Sequence, residues 1–418
     1  MGERASLTRP AVNINMHHVS DLLGCGFADV RSTLEDRFNL GTSILDSVDA
    51  LQEVTRDRSH LVAVGSTPGA MLQSFLASAA VVRETSFIDA NGTLQPVFTA
   101  RDAAILHRFR AWFAAESGGV SPLVGGVDVL DIPDRVEVAL FGDWGTGTPS
   151  AERVAQSIES SGASVRVHLG DVYYSGTTIE TASYLVERWP WSRSVVNRAC
   201  NSNHEMYSGG HGYRSLTLPA LGQRSPTFVL RNTNWLLIGL DTGTVNARLS
   251  FEQGRHLLEI VEAYRSRNVI LMSHHPWYSW TDGQNRKLRI DVQPLLSTGR
   301  VRAWYSGHDH GFVRFEHEGE FGVHLVCAGH GGFPYENVPS DGLPSQTSGQ
   351  LRFEGVPRIG DCPAGLGLFG PSGLGHHPED YGPVGWVHLA LDGPEVVEHV
   401  MDENGHPHFP HIVDGTNR

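Results

Sequence analysis

Four apolar runs in this sequence each end in side chains able to hold a metal ion. V-A-L-F is followed by Gly142-Asp143-Trp144-Gly145, and V-H-L by Gly170-Asp171. V-I-L-M is followed by Ser273-His274-His275-Pro276, and A-W-Y-S by Gly307-His308-Asp309-His310. A fifth segment, Asn201-Ser202-Asn203-His204-Glu205, lies between the second and third and adds a carboxamide and an imidazole. Taken singly, these clusters decide nothing, because an aspartate after a strand commonly closes a turn or caps a helix. Taken together, they form a mixed oxygen and nitrogen donor set, enough for two ions that share one carboxylate. Carboxylate with imidazole suits iron, manganese or zinc. Two such ions about 3.5 Å apart can grip a phosphoryl oxygen, acidify a water between them and stabilise an in-line displacement.

These groups need elements to bring them together. The runs at 136–141, 165–169, 235–240, 268–272, 301–305 and 323–327 are short and rich in β-branched and apolar residues, which predicts buried strands. Helical patterns fall between them at Ser150–Ser160 and Phe251–Arg265, so the spacing predicts an α/β core. If the donor-bearing strands lie parallel in one sheet, their ends converge on one rim, where open α/β sheets place ligands. The glycines permit sharp turns there. In R-V-H-L-G-D-V-Y-Y-S-G (166–176) the residues alone leave open whether Tyr173 or Tyr174 joins Asp171 in a reaction centre.

The rest of the chain is less informative about chemistry. Residues 1–117 read as a mainly helical accessory region: Ile105, Leu106, Phe109, Trp112 and Phe113 share one helical face over Ala103–Phe113. Residues 118–130, rich in glycine, read as a linker, and 131–418 as the catalytic domain. Strands are expected again at 386–391 and 395–400, and Gly329–Tyr381, dense in Gly and Pro, is expected to be loop. The 418 residues include 40% hydrophobic and 19% charged residues, an ordinary globular composition. A formal charge of -14 argues against a nucleic-acid backbone as partner. It is compatible with a small phosphorylated substrate if bound cations supply positive charge locally. Cys25, Cys200, Cys327 and Cys362 are too few and too scattered for a disulfide framework. No secretory signal or membrane span is visible, and a cytoplasmic location is expected.

With the clusters in this order, the chain resembles the calcineurin-like metallophosphoesterases, and among them the purple acid phosphatase branch. That branch carries GDxG, GDxxY, GNH(D/E), VxxH and GHxH. Here they read G-D-W-G (142–145), G-D-V-Y-Y (170–174), S-N-H-E (202–205), L-M-S-H (271–274) and G-H-D-H (307–310). The resemblance implies a four-layer α-β-β-α sandwich with an added, mainly helical N-terminal region. It implies two metal ions, one held by Asp143, Asp171, Tyr174 and His310, the other by Asp171, Asn203, His274 and His308. Fe(III) is implied at the tyrosine-bearing site and Fe(II), Zn or Mn at the second. Tyr174 takes the final position of GDxxY, leaving Tyr173 a packing role. His204 would protonate the leaving alkoxide or hold the phosphate, with Glu205 orienting it, while hydroxide held at the metals attacks phosphorus.

Two positions depart from the branch pattern. Ser202 replaces the usual glycine, which demands a backbone conformation open to serine. Leu271 replaces valine, an apolar exchange. His275, Tyr207, His211 and His330 are candidates for the substrate-binding wall. The implied reaction is hydrolysis of phosphate monoesters. The same site would also suit a phosphodiesterase or a nucleotide pyrophosphatase. A non-catalytic scaffold of this family is the other alternative, although such proteins tend to lose ligands and none is missing here. The N-terminal region can cover the site rim, bind a partner or support an oligomer.

Overall fold

A computed structural model describes residues 125–413 apart from 316–320, 334, 336–350, 357–360 and 371–381, together with residues 70, 71, 74, 86–88 and 94–96. By backbone contacts the chain divides into two units, Met1–Gly118 and Gly119–Arg418. In the first, Ala70, Met71 and Ser74 are helical, and Ser86–Ile88 pairs antiparallel with Leu94–Pro96. That strand pair departs from the helical texture expected there, while the helix expected over Ala103–Phe113 lies outside the described residues.

The second unit is built on two large sheets, with a separate small pair of Tyr278–Ser279 and Gly283–Gln284. Its strands are β1 (Asp128–Asp131), β2 (Arg135–Phe141), β3 (Val165–His168), β4 (Val196–Ala199), β5 (Phe228–Arg231), β6 (Trp235–Gly239), β7 (Asn268–Ser273), β8 (Val301–Ser306), β9 (Phe312–Phe315), β10 (His324–Ala328), β11 (Arg352–Gly355), β12 (Gly365–Phe369), β13 (Gly385–Asp392), β14 (Glu395–Asp402) and β15 (Pro407–Val413). One sheet has nine strands in the order β11-β12-β9-β10-β8-β7-β6-β5-β1, and the other has six in the order β15-β14-β13-β2-β3-β4. The helices that flank them are α1 (Pro149–Ser160), α3 (Phe251–Ala263) and α4 (Arg286–Leu296), with a short α2 (Asn203–Tyr207) at the rim.

Strand alternation explains the layers. Val136, Val138 and Leu140 of β2 share one buried cluster with Ile270 and Met272 of β7 and Ala303 and Tyr305 of β8, so the two sheets pack face to face. The intervening residues of the nine-stranded sheet, such as Leu236, Ile238, Val269 and Leu271, pack against Leu257 and Val261 of α3 and Leu288 and Val292 of α4. On the other side, Ala139 and Phe141 of β2 meet Val154, Ala155 and Ile158 of α1. This is the α-β-β-α sandwich. Full burial of each such aliphatic side chain is worth about 1.5–3 kcal/mol. The helix starts are set locally: Thr148, Ser250 and Asn285 are N-caps whose side chains accept from Ala151 N, Gln253 N and Leu288 N.

Three expectations change. The donor-bearing strands do not share one sheet: β2 and β3 are parallel neighbours in the six-stranded sheet, and β7 and β8 are parallel neighbours in the nine-stranded one. The expected loop at Gly329–Tyr381 contains two strands, β11 and β12, paired antiparallel. Asp128–Asp131, in the stretch expected to be linker, is the edge strand β1. No helix among the described residues is long and apolar enough to cross a membrane. Cys200, Cys327 and Cys362 are buried free thiols.

Candidate metal centre

The C-terminal ends of β2 and β3 meet those of β7 and β8 across the gap between the two sheets. Backbone hydrogen bonds weld the loops together: Asp143 N donates to Gly170 O (3.0 Å), Gly142 N to Ala328 O (3.0 Å) and Gly307 N to His274 O (3.0 Å). Three donor-bearing residues, Asp143, Asp171 and His308, have left-handed backbones with φ of 56°, 81° and 76°. Such conformations cost non-glycine residues of order 1–2 kcal/mol each and persist where the surroundings over-determine them. Gly170 (φ 102°) and Gly307 are close to the donors themselves: an added Cβ would lie 2.8 Å from His274 Nδ1 and from Asp143 Oδ2, respectively.

The phenol that enters this cluster belongs to Tyr173. Its hydroxyl lies 2.8 Å from Asp143 Oδ1, 2.8 Å from Asp171 Oδ2 and 2.9 Å from His310 Nε2. Tyr174 contributes its backbone instead: its carbonyl accepts from His204 Nδ1 (2.6 Å), and its N–H donates to Glu180 Oε1 (2.6 Å). The assignment of Tyr174 from motif position is therefore corrected to Tyr173. The Tyr173 ring packs against Phe333, with centroids 4.4 Å apart.

The second group of donors surrounds His274. Its Nδ1 is fixed by the Leu169 carbonyl (3.0 Å), and its Nε2 faces Asp171 Oδ1 (3.2 Å) and His308 Nδ1 (3.2 Å). Asn203 sits at the start of α2, where Nδ2 donates to Tyr207 Oη (2.9 Å). Asn203 Oδ1 and Asp171 Oδ1 are buried with no hydrogen-bond partner among the described residues. His204 Nε2 lies 3.7 Å from Asp171 Oδ2. Ser202 has φ -132° and ψ 179°, extended backbone that serine adopts freely, which answers the question raised by the missing glycine. Ser202 Oγ donates to Glu205 Oε2, so Glu205 braces the start of α2. His204 is oriented by the Tyr174 carbonyl, not by Glu205, a second correction.

These donors fit a pair of cations. One phenolic proton cannot satisfy two carboxylates and an imidazole that all converge on it, and one imidazole proton cannot satisfy His274, His308 and Asp171 together. Burial and the neighbouring Asp171 raise the Asp143 carboxyl well above its usual range. Burial would also raise Asp171, but His204, His274, Ser202 and His308 hold it well below, so the pair carries one firm negative charge. Burial and both carboxylates push the Tyr173 phenol far up, so its proton stays on. Burial holds the His274 imidazole down to about 3, hence neutral and ready to donate a lone pair. A cation inverts this logic for the carboxylates and the phenol. His274 and His308 nitrogens 3.2 Å apart match two ligands at about 2.1 Å from a common ion.

The remaining expected residues divide. His275 joins the cluster wall, its ring centroid 4.9 Å from those of His274 and His308. Tyr207 lies against His204 (4.9 Å between centroids). His211 is half-buried, and its carbonyl accepts from Ser215 Oγ (2.5 Å). His330 is fully buried and edge-on to Phe312 (5.3 Å between centroids). Asp309 was not foreseen. Its buried carboxylate accepts from Ser279 Oγ (2.7 Å), Trp280 N (2.8 Å) and Thr281 Oγ1 (2.9 Å), pinning the loop after β7 between the two ligand histidines. That loop brings Asp282 Oδ2 to 3.7 Å from His308 Nε2. The position of Asp309 inside G-H-D-H was the only sequence signal for this.

A family model described as calcineurin-like phosphoesterase matches residues 136–312, the stretch that contains every donor above. No match was found among curated proteins. Among solved structures, the chain is similar to purple acid phosphatase PPD1 from yellow lupin (Lupinus luteus) seeds, with a TM-score of 0.51 and 14% identity over 68% of this chain and 55% of that one. It is also similar to GAP50, the anchor in the inner membrane complex of Plasmodium, with a TM-score of 0.49 and 13% identity over 68% of this chain and 90% of that one. The lupin likeness extends to the fold, and the chain spans little more than half of that enzyme.

Proposed function

We propose that this chain, whose residues 136–312 match a calcineurin-like phosphoesterase model, hydrolyses phosphate monoesters at the cluster between its two sheets. Asp143, Asp171, Tyr173 and His310 would hold one metal ion. Asp171, Asn203, His274 and His308 would hold the other, with Asp171 shared. When bound, the two ions supply Lewis acidity toward the phosphoryl oxygens and toward water. A phenol among the first set suits Fe(III), and the imidazoles and carboxamide of the second suit Fe(II), Zn or Mn.

The observation that carries the reading is the placement of His204. Its Nδ1–H is committed to the Tyr174 carbonyl (2.6 Å), so the ring is fixed and Nε2 is the atom turned toward the shared Asp171 (3.7 Å). From there a proton on Nε2 would pass to the leaving alkoxide as the ester P–O bond breaks and the oxygen of water bonds to phosphorus, and the proton that this water releases would restore Nε2–H. General acid catalysis of this kind contributes about 10²–10⁴-fold. Tyr207 packs at a tilt against the same ring and holds Asn203 by its amide, which ties the acid to the proposed metal ligands.

The test is a pair of variants read against both metal content and turnover. His204→Ala is expected to keep two metal ions and lose about 10²–10⁴-fold in kcat, whereas Asp171→Ala is expected to lose metal and turnover together. A panel of monoesters, diesters and nucleoside di- and triphosphates then identifies the preferred class. Two bound metal ions with no turnover of any ester would overturn the reading in favour of a scaffold, and preferential diester turnover would overturn its monoester part.

A further inference from the structure

We propose that His275 is a fifth protein ligand of the second metal ion, making that site a tri-imidazole cap of His274, His275 and His308. The inference rests on the dinuclear reading above and goes beyond the ligand set carried by the motifs, which stops at His274.

The geometry is that of three rings around one point. The ring centroids of His274, His275 and His308 are separated by 4.9, 4.9 and 5.1 Å, a nearly equilateral triangle. Imidazoles sharing an ion at about 2.0–2.1 Å place their centroids roughly 5 Å apart. One nitrogen from each ring lies within 4.8 Å of the others, and the His274 and His308 nitrogens are 3.2 Å apart. His275 is also held as ligand imidazoles are held. Its Nδ1 lies 2.9 Å from Thr242 Oγ1, and the same hydroxyl accepts its backbone N–H (3.2 Å). That fixes the ring and leaves Nε2 with no hydrogen bond among the described residues, matching the anchoring of His274 by the Leu169 carbonyl. Thr242 itself is fully buried just beyond the end of β6.

The consequence is selectivity. A third imidazole shifts the donor balance from oxygen toward nitrogen, which favours Zn²⁺ over Mn²⁺. It also takes a coordination position that would otherwise be open to water or substrate.

The experiment uses the full chain stripped by chelation and reloaded with Zn²⁺ or Mn²⁺ alone, against a competing metal dye. Wild type is expected to hold two Zn²⁺ ions. His275→Ala is expected to hold one as before and the other at least about tenfold more weakly, with a smaller change for Mn²⁺. Thr242→Val, which keeps the imidazole and removes its anchor, is expected to weaken the same site. Reloading with Co²⁺ gives an independent reading, because losing a nitrogen ligand alters the visible d–d bands. If His275→Ala binds both Zn²⁺ ions as tightly as wild type with an unchanged Co²⁺ spectrum, the inference is wrong, and a raised KM in that variant would reassign His275 to substrate. If His275→Ala does not fold, wild-type Zn²⁺ affinity in Thr242→Val has the same force. Failure of wild type itself to bind two ions would instead overturn the dinuclear reading.

Discussion

Glu398 gives a test of how the two sheets that share the site are held together. It lies on β14 of the six-stranded sheet, fully buried, yet every partner of its carboxylate belongs to the other sheet. Oε2 accepts from Tyr305 Oη of β8 (2.7 Å) and from His324 Nε2 of β10 (2.8 Å), and Oε1 accepts from Arg314 Nη2 of β9 (2.5 Å). Burial alone would raise this carboxyl, but His324 first, then Arg314 and Tyr305, bring it down to about 2 from an ordinary value of 4.5. At about 1.4 kcal/mol per tenfold in proton affinity, that lowering corresponds to about 3 kcal/mol of folding free energy. Glu398→Gln keeps the shape, removes the charge and turns amide hydrogens toward either the Arg314 guanidinium or the Tyr305 and His324 donors.

The expected loss is therefore about 3 kcal/mol at pH 7, within the range for breaking a buried ion pair. The sign of its pH dependence follows from the depressed folded value. The contribution is complete above the unfolded value near 4.5 and is lost as pH falls through that value toward about 2. Urea unfolding of both proteins at pH 7, 5, 4 and 3 measures the gap directly. It should be flat from pH 7 to about 5.5 and narrow steadily below. A difference under about 0.5 kcal/mol at pH 7, or one that does not narrow in acid, would refute the assignment of Glu398 as a charged inter-sheet tie.

Three further outcomes follow from the site. In iron-loaded protein, Tyr173→Phe is expected to abolish an intense visible charge-transfer band that Tyr174→Phe preserves, and absorption spectra of the two variants decide it; the reverse pattern would restore the motif-position assignment. Asp309→Asn turns an amide donor toward one of three donors that now meet a carboxylate, so a stability loss of about 1–3 kcal/mol and weaker metal binding are expected by thermal melts and metal titration. Gly307→Ala places a Cβ 2.8 Å from Asp143 Oδ2; overpacking there should cost about 1–3 kcal/mol and lower metal content, measurable by unfolding and elemental analysis.

Much of the sheet framework is visible in the chain because its central strands are uninterrupted apolar runs. β2, β3, β6, β7, β8, β10, β13 and β14 all fall on stretches read as strands. Strands with weaker patterns, such as β4 (V-N-R-A) and β12 (G-L-G-L-F), carry too little periodicity to be seen locally and exist because neighbours pair with them. The donor types are equally legible, since they cluster just after strands, with Asp143, Asp171 and His308 each following a glycine. Which sheet each strand joins is not, because local pattern carries no information about pairing partners.

The two tyrosines show where that boundary falls. Sequence by itself determined that carboxylates and imidazoles stand at the ends of apolar runs, with a carboxamide and two tyrosines close by in the chain, because strand pattern and glycine turns are local properties. Tertiary structure alone decided that Tyr173 reaches Asp143 and His310, that the Tyr174 carbonyl aims His204, that Asp309 pins the loop after β7 and that His275 faces its two neighbours. The physical reason is that these are contacts between loops from two separate sheets, and their geometry exists only once the sheets have packed.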